Sequence, residues 1–157
     1  MKIDIILRSI ECLTQSEKNE DELYCLVDLV NVPEAKRFPE GKPGYWVFKK
    51  GQKDKPELSL FSNTVNGAVE VGLDFREDDT GGLHTTPFLG DLMTKVADNM
   101  QHNEFGKLVI AVTDKGDITW KTGSYAMEEG KNTAEEKTFS LNGAKAEYMV
   151  TIAVKKG

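Results

Sequence analysis

Apolar and polar residues alternate along most of this chain with a period of two. Residues 2–13, KIDIILRSIECL, place Ile3, Ile5 and Leu7 on one face and Ile6, Ile10 and Cys12 on the other. The apolar set changes sides near Arg8-Ser9, the signature of a strand that carries a bulge or is buried on both faces. Residues 22–30, ELYCLVDLV, form a second strand, with Leu23, Cys25, Val27 and Leu29 on one side and Tyr24, Leu26 and Val30 on the other. Pro33, Pro39 and Pro43, with Gly41 and Gly44, then mark a long irregular connection.

Residues 45–48, YWVF, form a short aromatic strand, and 57–62 supply another. Val69, Val71, Leu73 and Phe75 alternate with Glu70, Gly72, Asp74 and Arg76, as in a half-buried strand. Residues 107–112 and 117–122 flank Thr113-Asp114-Lys115-Gly116, a hairpin turn with a glycine for positive φ. Phe139 and Leu141 belong to a further strand, and 147–154 to the last. About nine short strands separated by turn signals predict an all-β chain, a two-sheet antiparallel β-sandwich. Its expected core includes Ile5, Leu7, Leu23, Val27, Val71, Leu73, Phe75, Ile110, Val112, Val150 and Ile152.

One segment breaks the pattern. Leu89, Leu92, Met93, Val96 and Met100 recur at spacings of three and four, behind Thr86 as a helix cap and Pro87 at the first helical position. This predicts one short helix within 86–102; the rival reading is a strand around 89–96. Residues 128–137 are charged and loop-like.

The chain has 157 residues, the size of a single domain over 1–157, and its 39% hydrophobic residues suffice for one core. Its net charge is −6, and basic residues never run beyond pairs such as Lys49-Lys50, so nucleic acid is not an expected partner. No apolar run approaches the roughly 20 residues of a membrane span. The opening Met1-Lys2-Ile3-Asp4 leads straight into strand alternation rather than a cleavable signal. A cytoplasmic protein, or one exported without such a signal, is the expectation.

The chemistry of common catalytic motifs is missing. There is no Gly-rich phosphate loop, no nucleophile elbow and no paired Cys or His spacing of the zinc type, so an enzyme is not expected. The two histidines, His84 and His102, would both be needed for a metal site, with a carboxylate such as Asp91; their spacing favours polar loop or helix-end roles. Cys12 and Cys25 flank the polar stretch 16–20. If the first two strands form a hairpin turning there, the thiols face each other, as a reduced core pair or as a disulfide.

Acidic residues form two clusters. Glu17, Glu20, Asp21 and Glu22 lie between the first two strands, and Asp74, Glu77, Asp78 and Asp79 run out of the strand at 69–75. Counting strands as alternately up and down puts both clusters at one end of the sandwich. Clustered carboxylates on loops suit a hard cation such as Ca²⁺; ordinary solvated loops on an acidic protein give the same composition. The candidate ligands are Glu20, Asp21, Asp74, Glu77, Asp78 and Asp79.

Three stretches resemble the C2 domain, the calcium- and phospholipid-binding β-sandwich, and in particular its bacterial relatives. They are Asp21-Glu22-Leu23-Tyr24 at the entry to a strand, Leu73-Asp74-Phe75-Arg76-Glu77-Asp78-Asp79 with Phe88-Leu89-Gly90-Asp91 beyond it, and the closing Tyr148-x-Val-x-Ile strand. The resemblance implies an eight-stranded sandwich with cation-binding loops at one end. The chain departs from the family pattern at Thr86-Pro87 and at Thr14-Gln15, where acidic residues are usual. The implied cofactor is therefore none or a weak Ca²⁺, held at about 10⁻⁴–10⁻³ M. The implied function is a non-enzymatic interaction module. Its expected partner is a protein; a membrane would serve only where a cation bridges. The alternative is a structural or accessory subunit of a larger assembly, such as a secretion machine, or a protein exported without a signal.

Overall fold

The computed structural model describes residues 1–29, 35–78, 104–122, 126–127 and 135–157. Within them the chain forms strands β1 (Lys2–Thr14), β2 (Asp21–Leu29), β3 (Ala35–Phe38), β4 (Trp46–Phe48), β5 (Lys53–Asp54) and β6 (Leu58–Thr64). Then follow β7 (Val69–Glu77), β8 (Glu104–Val112), β9 (Ile118–Thr122), β10 (Ala126–Met127), β11 (Glu136–Gly143) and β12 (Ala146–Lys156). They build two antiparallel sheets packed as a sandwich. A five-stranded sheet runs β11-β12-β1, with β5 and β6 both on the far side of β1. A seven-stranded sheet runs β10-β9-β8-β7-β2, with β3 and β4 both beyond β2. No helix occurs among the described residues, so none there is long and apolar enough to cross a membrane. The helix expected within 86–102 lies outside the described residues.

The side change in the first strand has a clear cause. The β1–β12 register shifts between Leu7 and Ser9, a β-bulge at Arg8. The extra residue brings Ile10 and Cys12 into the same core as Ile3, Ile5 and Leu7. Ile6 stays on the other face. The core fills the space between the sheets, and all the positions expected there from alternation are buried. Trp120 and Phe139 meet across it at 5.5 Å. At the end of β11 the sheets touch so closely that a Cβ on Gly143 would stand 2.2 Å from the Glu104 carbonyl oxygen.

The expected hairpin of the first two strands does not form. β1 and β2 lie in different sheets, so loop 15–20 carries the chain from one layer to the other. Cys12 stands opposite Tyr148 of β12, and Cys25 opposite Phe75 of β7 and Phe38 of β3. Alternation marks which residues face the core, and two strands that face each other across it read the same as two that lie side by side. Both thiols are buried and free. Burial raises the Cys12 pKa and sends that of Cys25 well above the usual value, so neither is poised as a nucleophile.

Residues 35–38, within the stretch expected to be irregular, form β3 on β2. Turn 113–117 closes the β8–β9 hairpin as expected: the Thr113 amide donates to Asp117 at 2.9 Å, and Gly116 takes φ 84°. This turn lies at the end of the sandwich opposite the start of β8, where β7 finishes.

Candidate functional site at the acidic end

The antiparallel pairing of β2 with β7 sets the start of one strand beside the finish of the other. Leu23 stands opposite Glu77, and the Asp78 amide donates to the Glu22 carbonyl at 2.8 Å. Loop 15–20 arrives at the same end from β1. The two acidic stretches therefore converge, as the strand count had suggested.

Asp21 is fully buried, on the core-facing side of β2. Its carboxylate accepts from the Ser16 amide at 2.9 Å, the Glu17 amide at 3.0 Å and the Ser16 hydroxyl at 2.7 Å. A fourth donor comes from the opposite sheet: the Tyr148 hydroxyl reaches Asp21 at 2.6 Å. Phe48 and Phe105 hold the Tyr148 ring, at 5.8 and 5.0 Å. Burial, then the hydrogen bond to Asp21, raises the Tyr148 pKa, so it remains a donor. Gln15 braces the loop, donating to the Glu17 carbonyl at 2.8 Å and accepting from the Lys50 amide at 2.9 Å. Asp21 is thus the internal cap that shapes loop 15–20.

Glu77 is 3% exposed, with fewer partners. Its Oε2 stands 2.8 Å from the Ser16 hydroxyl, which is also 2.7 Å from Asp21. A hydroxyl has one proton to donate. The Ser16 hydroxyl therefore divides its one proton between the Asp21 and Glu77 carboxyls. Burial pushes the Glu77 pKa up to about 8, against the Ser16 hydrogen bond, and the Glu17 and Asp21 carboxylates push the same way. Its Oε1 is buried and has no hydrogen-bond partner among the described residues. One carboxylate oxygen each from Glu17, Glu22 and Glu77 lies within 4.8 Å of the others. Among the described residues neither Glu17 nor Glu77 takes part in an ion pair.

The other candidate ligands are placed differently. Glu20 is half-buried at the end of loop 15–20. Asp74 lies on the face of the seven-stranded sheet turned away from the core, bonded to Arg76 at 2.8 Å. Burial raises the Asp74 pKa to about 6 against the pull of Arg76. Asp78 is 1% exposed and paired with Arg37 at 2.5 Å. Arg37 in turn donates to the Gly44 carbonyl at 2.9 Å and lies 3.9 Å from the centre of the Tyr24 ring. Asp79, and the histidines His84 and His102 with Asp91, lie outside the described residues.

The converging oxygens therefore come from Glu17, Glu22 and Glu77. Glu17 and Glu22 belong to the acidic run read from the sequence but not to the candidate ligand set. The signal that would have found them is the β2–β7 pairing, which aligns residue 22 with residue 78. No known protein family matches this chain, and no curated protein matches it.

Proposed function

We propose that this chain is a non-enzymatic binding module, a C2-like sandwich that engages a protein partner through the acidic end of its loops. A membrane surface is a partner only where a cation bridges it. The observation that carries the reading is the convergence of loop 15–20 with the end of β7, which gathers Glu17, Glu22 and Glu77 at one end of a rigid scaffold. Loops held by a packed sandwich are the usual place for recognition. Surplus negative charge there favours a basic patch over an anionic surface.

The residues also support the non-enzymatic part. Both thiols are buried with raised pKa values.

The test uses a Lys- and Arg-rich peptide, titrated by fluorescence anisotropy at low and at physiological salt. Binding that weakens with salt and falls at least tenfold in Glu17→Gln/Glu20→Gln supports the reading. Binding that ignores the double substitution, or no binding at low salt, removes it. Co-sedimentation with phosphatidylserine vesicles, with and without Ca²⁺, tests the bridged membrane arm.

A second reading, a subunit completed by a partner strand, is favoured by a different place. Among the described residues β6 pairs with β1 on one side. Beside it a pocket of about 410 Å³ is lined by Val27, Asp28, Leu29, Ala35, Lys36, Leu60 and Phe61. A sheet edge next to a pocket of mixed apolar and charged lining suits strand addition, whose backbone pairs along the edge while alternate side chains enter the pocket. Sizing at several concentrations tests self-association through it: a mass of 17.5 kDa throughout excludes a second copy as the added strand.

A further inference from the structure

The edge of a sheet leaves a row of backbone N–H and C=O groups open to another strand. Folded proteins blunt such edges with Lys or Pro on the strand, with an inward-pointing charge, or with a covering segment. β6, with the sequence LSLFSNT, contains no Lys, no Pro and no charged residue. Among the described residues it pairs with β1 along Lys2–Leu7 and with no strand on its other side. Its one irregularity is Leu60, the extra residue between the Ile5–Phe61 and Ile6–Ser59 pairs, and that side chain is buried. Ser59, Ser62, Asn63 and Thr64 are exposed.

A second observation lies beside that edge. The pocket of about 410 Å³ has Leu60 and Phe61 of β6 on one wall and Ala35 and Lys36 of β3 on another. It therefore opens between two strands that border their sheets on the same side of the sandwich. Leu58 and Phe61 stand opposite Leu7 and Ile5 on the core-facing side, yet both are only half-buried. The two layers are incompletely closed here, and an added strand would bring the side chains that close them.

The charge pattern names the occupant. The chain carries a net charge of −6, so two copies repel unless they meet through neutral surface. Among the described strands of four residues or more, β6 alone has no charged side chain. The pocket lining contributes one acid, Asp28, and one base, Lys36, hence no net charge. β6 can therefore oppose a copy of itself without setting like charges across the ladder.

We propose that β6 pairs antiparallel with β6 of a second copy of this chain, joining the two five-stranded sheets into one. A twofold axis perpendicular to the sheet keeps both core-facing sides together. Phe61 and Leu58 of each copy then reach toward the other's pocket, and every contact is made twice. The proposal rests on the reading of β6 as a site of strand addition and names the strand that is added. A ladder of seven residues at most is a small interface, under roughly 1,200 Å², so the dimer is weak and concentration-dependent.

The experiment is sedimentation equilibrium of the whole chain from about 1 µM to about 1 mM, with amide hydrogen exchange at both ends of the range. The average mass should rise from 17.5 kDa toward that of two copies, and the β6 amides that β1 leaves free should gain protection. Ser62→Lys puts a charge on the exposed edge, opposite Asp4 of its own sheet. It should weaken association tenfold or more and melt no lower than the wild type. Ser140→Lys on β11, at the other border of the same sheet, should associate as the wild type does. A mass of 17.5 kDa at every concentration overturns the second copy. So does association that survives Ser62→Lys, or that falls equally in Ser140→Lys. An uncharged Val-Thr repeat peptide, titrated into the isotopically labelled chain, tests the underlying reading separately. Peptide-induced shifts along Leu58–Thr64 in a chain that stays monomeric remove the second copy and keep strand addition; no shifts and no dimer remove both.

Discussion

Two groups of buried carboxylates in this sandwich are neutralised in different ways. On the outer face of the seven-stranded sheet, Asp78 meets Arg37 and Asp74 meets Arg76. At the acidic end, Asp21 is satisfied by two amides and two hydroxyls, and Glu77 shares one hydroxyl with it. A carboxylate matched by a guanidinium is committed to the architecture, because removing either partner strands a charge in a poor solvent. A carboxylate whose neighbours are a hydroxyl and further carboxylates still has room for a proton or a cation. The first arrangement holds the sheet; the second has the makings of a site.

The largest effect should come from breaking the first group. Arg37→Met keeps most of the stem that packs on Tyr24 and removes the charge from a buried Asp78. Urea unfolding should show a loss of about 3–5 kcal/mol. A loss under about 1 kcal/mol would show that Asp78 does not depend on Arg37.

Next comes the internal cap. Tyr148→Phe removes one donor from Asp21, which keeps Ser16 and Glu17, so the cost should be about 1–3 kcal/mol by the same measurement. The substitution should also loosen loop 15–20, read as faster amide exchange at Ser16 and Glu17.

The pH dependence of stability separates the two groups. A carboxyl with a higher pKa folded than unfolded binds its proton more tightly in the native state. Its contribution to stability is complete below the unfolded pKa and is lost as pH rises through the folded one. For Asp74 that window runs from 3.8 to about 6, and for Glu77 from 4.5 to about 8. In chelator the melting temperature should therefore fall as pH rises from 5 to 8. Glu77→Gln, a neutral mimic of the protonated acid, should flatten the upper part of that fall, between pH 6 and 8. A wild-type melt independent of pH over this range would contradict the raised pKa of Glu77.

How much of this could be read from the sequence depends on what alternation reports. Period-two patterning identified the inward residues of β1, β2, β7, β8 and β12, and even located the bulge at Arg8-Ser9. It could not say which sheet a strand joins, and so placed Cys12 and Cys25 across a hairpin that does not exist. β3 was missed because four residues flanked by prolines, AKRF, carry too short a pattern to register. Arg37, the partner of Asp78, was missed with it.

The acidic end was legible as a place and not as a constellation. Asp21 and Glu22 are neighbours, yet one points into the core and meets a tyrosine 127 residues away. Asp74 and Glu77 belong to one strand, yet they lie on opposite faces of it. Both distinctions follow from pairing across the sheets, which no run of adjacent residues encodes.

The smallest expected effect is on stability at the surface of the site. Glu17→Gln should change unfolding free energy by no more than about 0.5 kcal/mol in chelator, as for an exposed side chain. A larger gain in stability would show that repulsion within the cluster is costly even without an ion.

The most direct measurement of the central claim is residue-resolved. A Lys- and Arg-rich peptide titrated into the isotopically labelled chain shifts amide signals near the bound peptide. The account predicts selective shifts at Ser16, Glu17, Glu22, Glu77 and Asp78, with Thr113 to Asp117 at the opposite end unmoved. Shifts centred on Asp74 and Arg76, or spread evenly over the exposed acids, would contradict it.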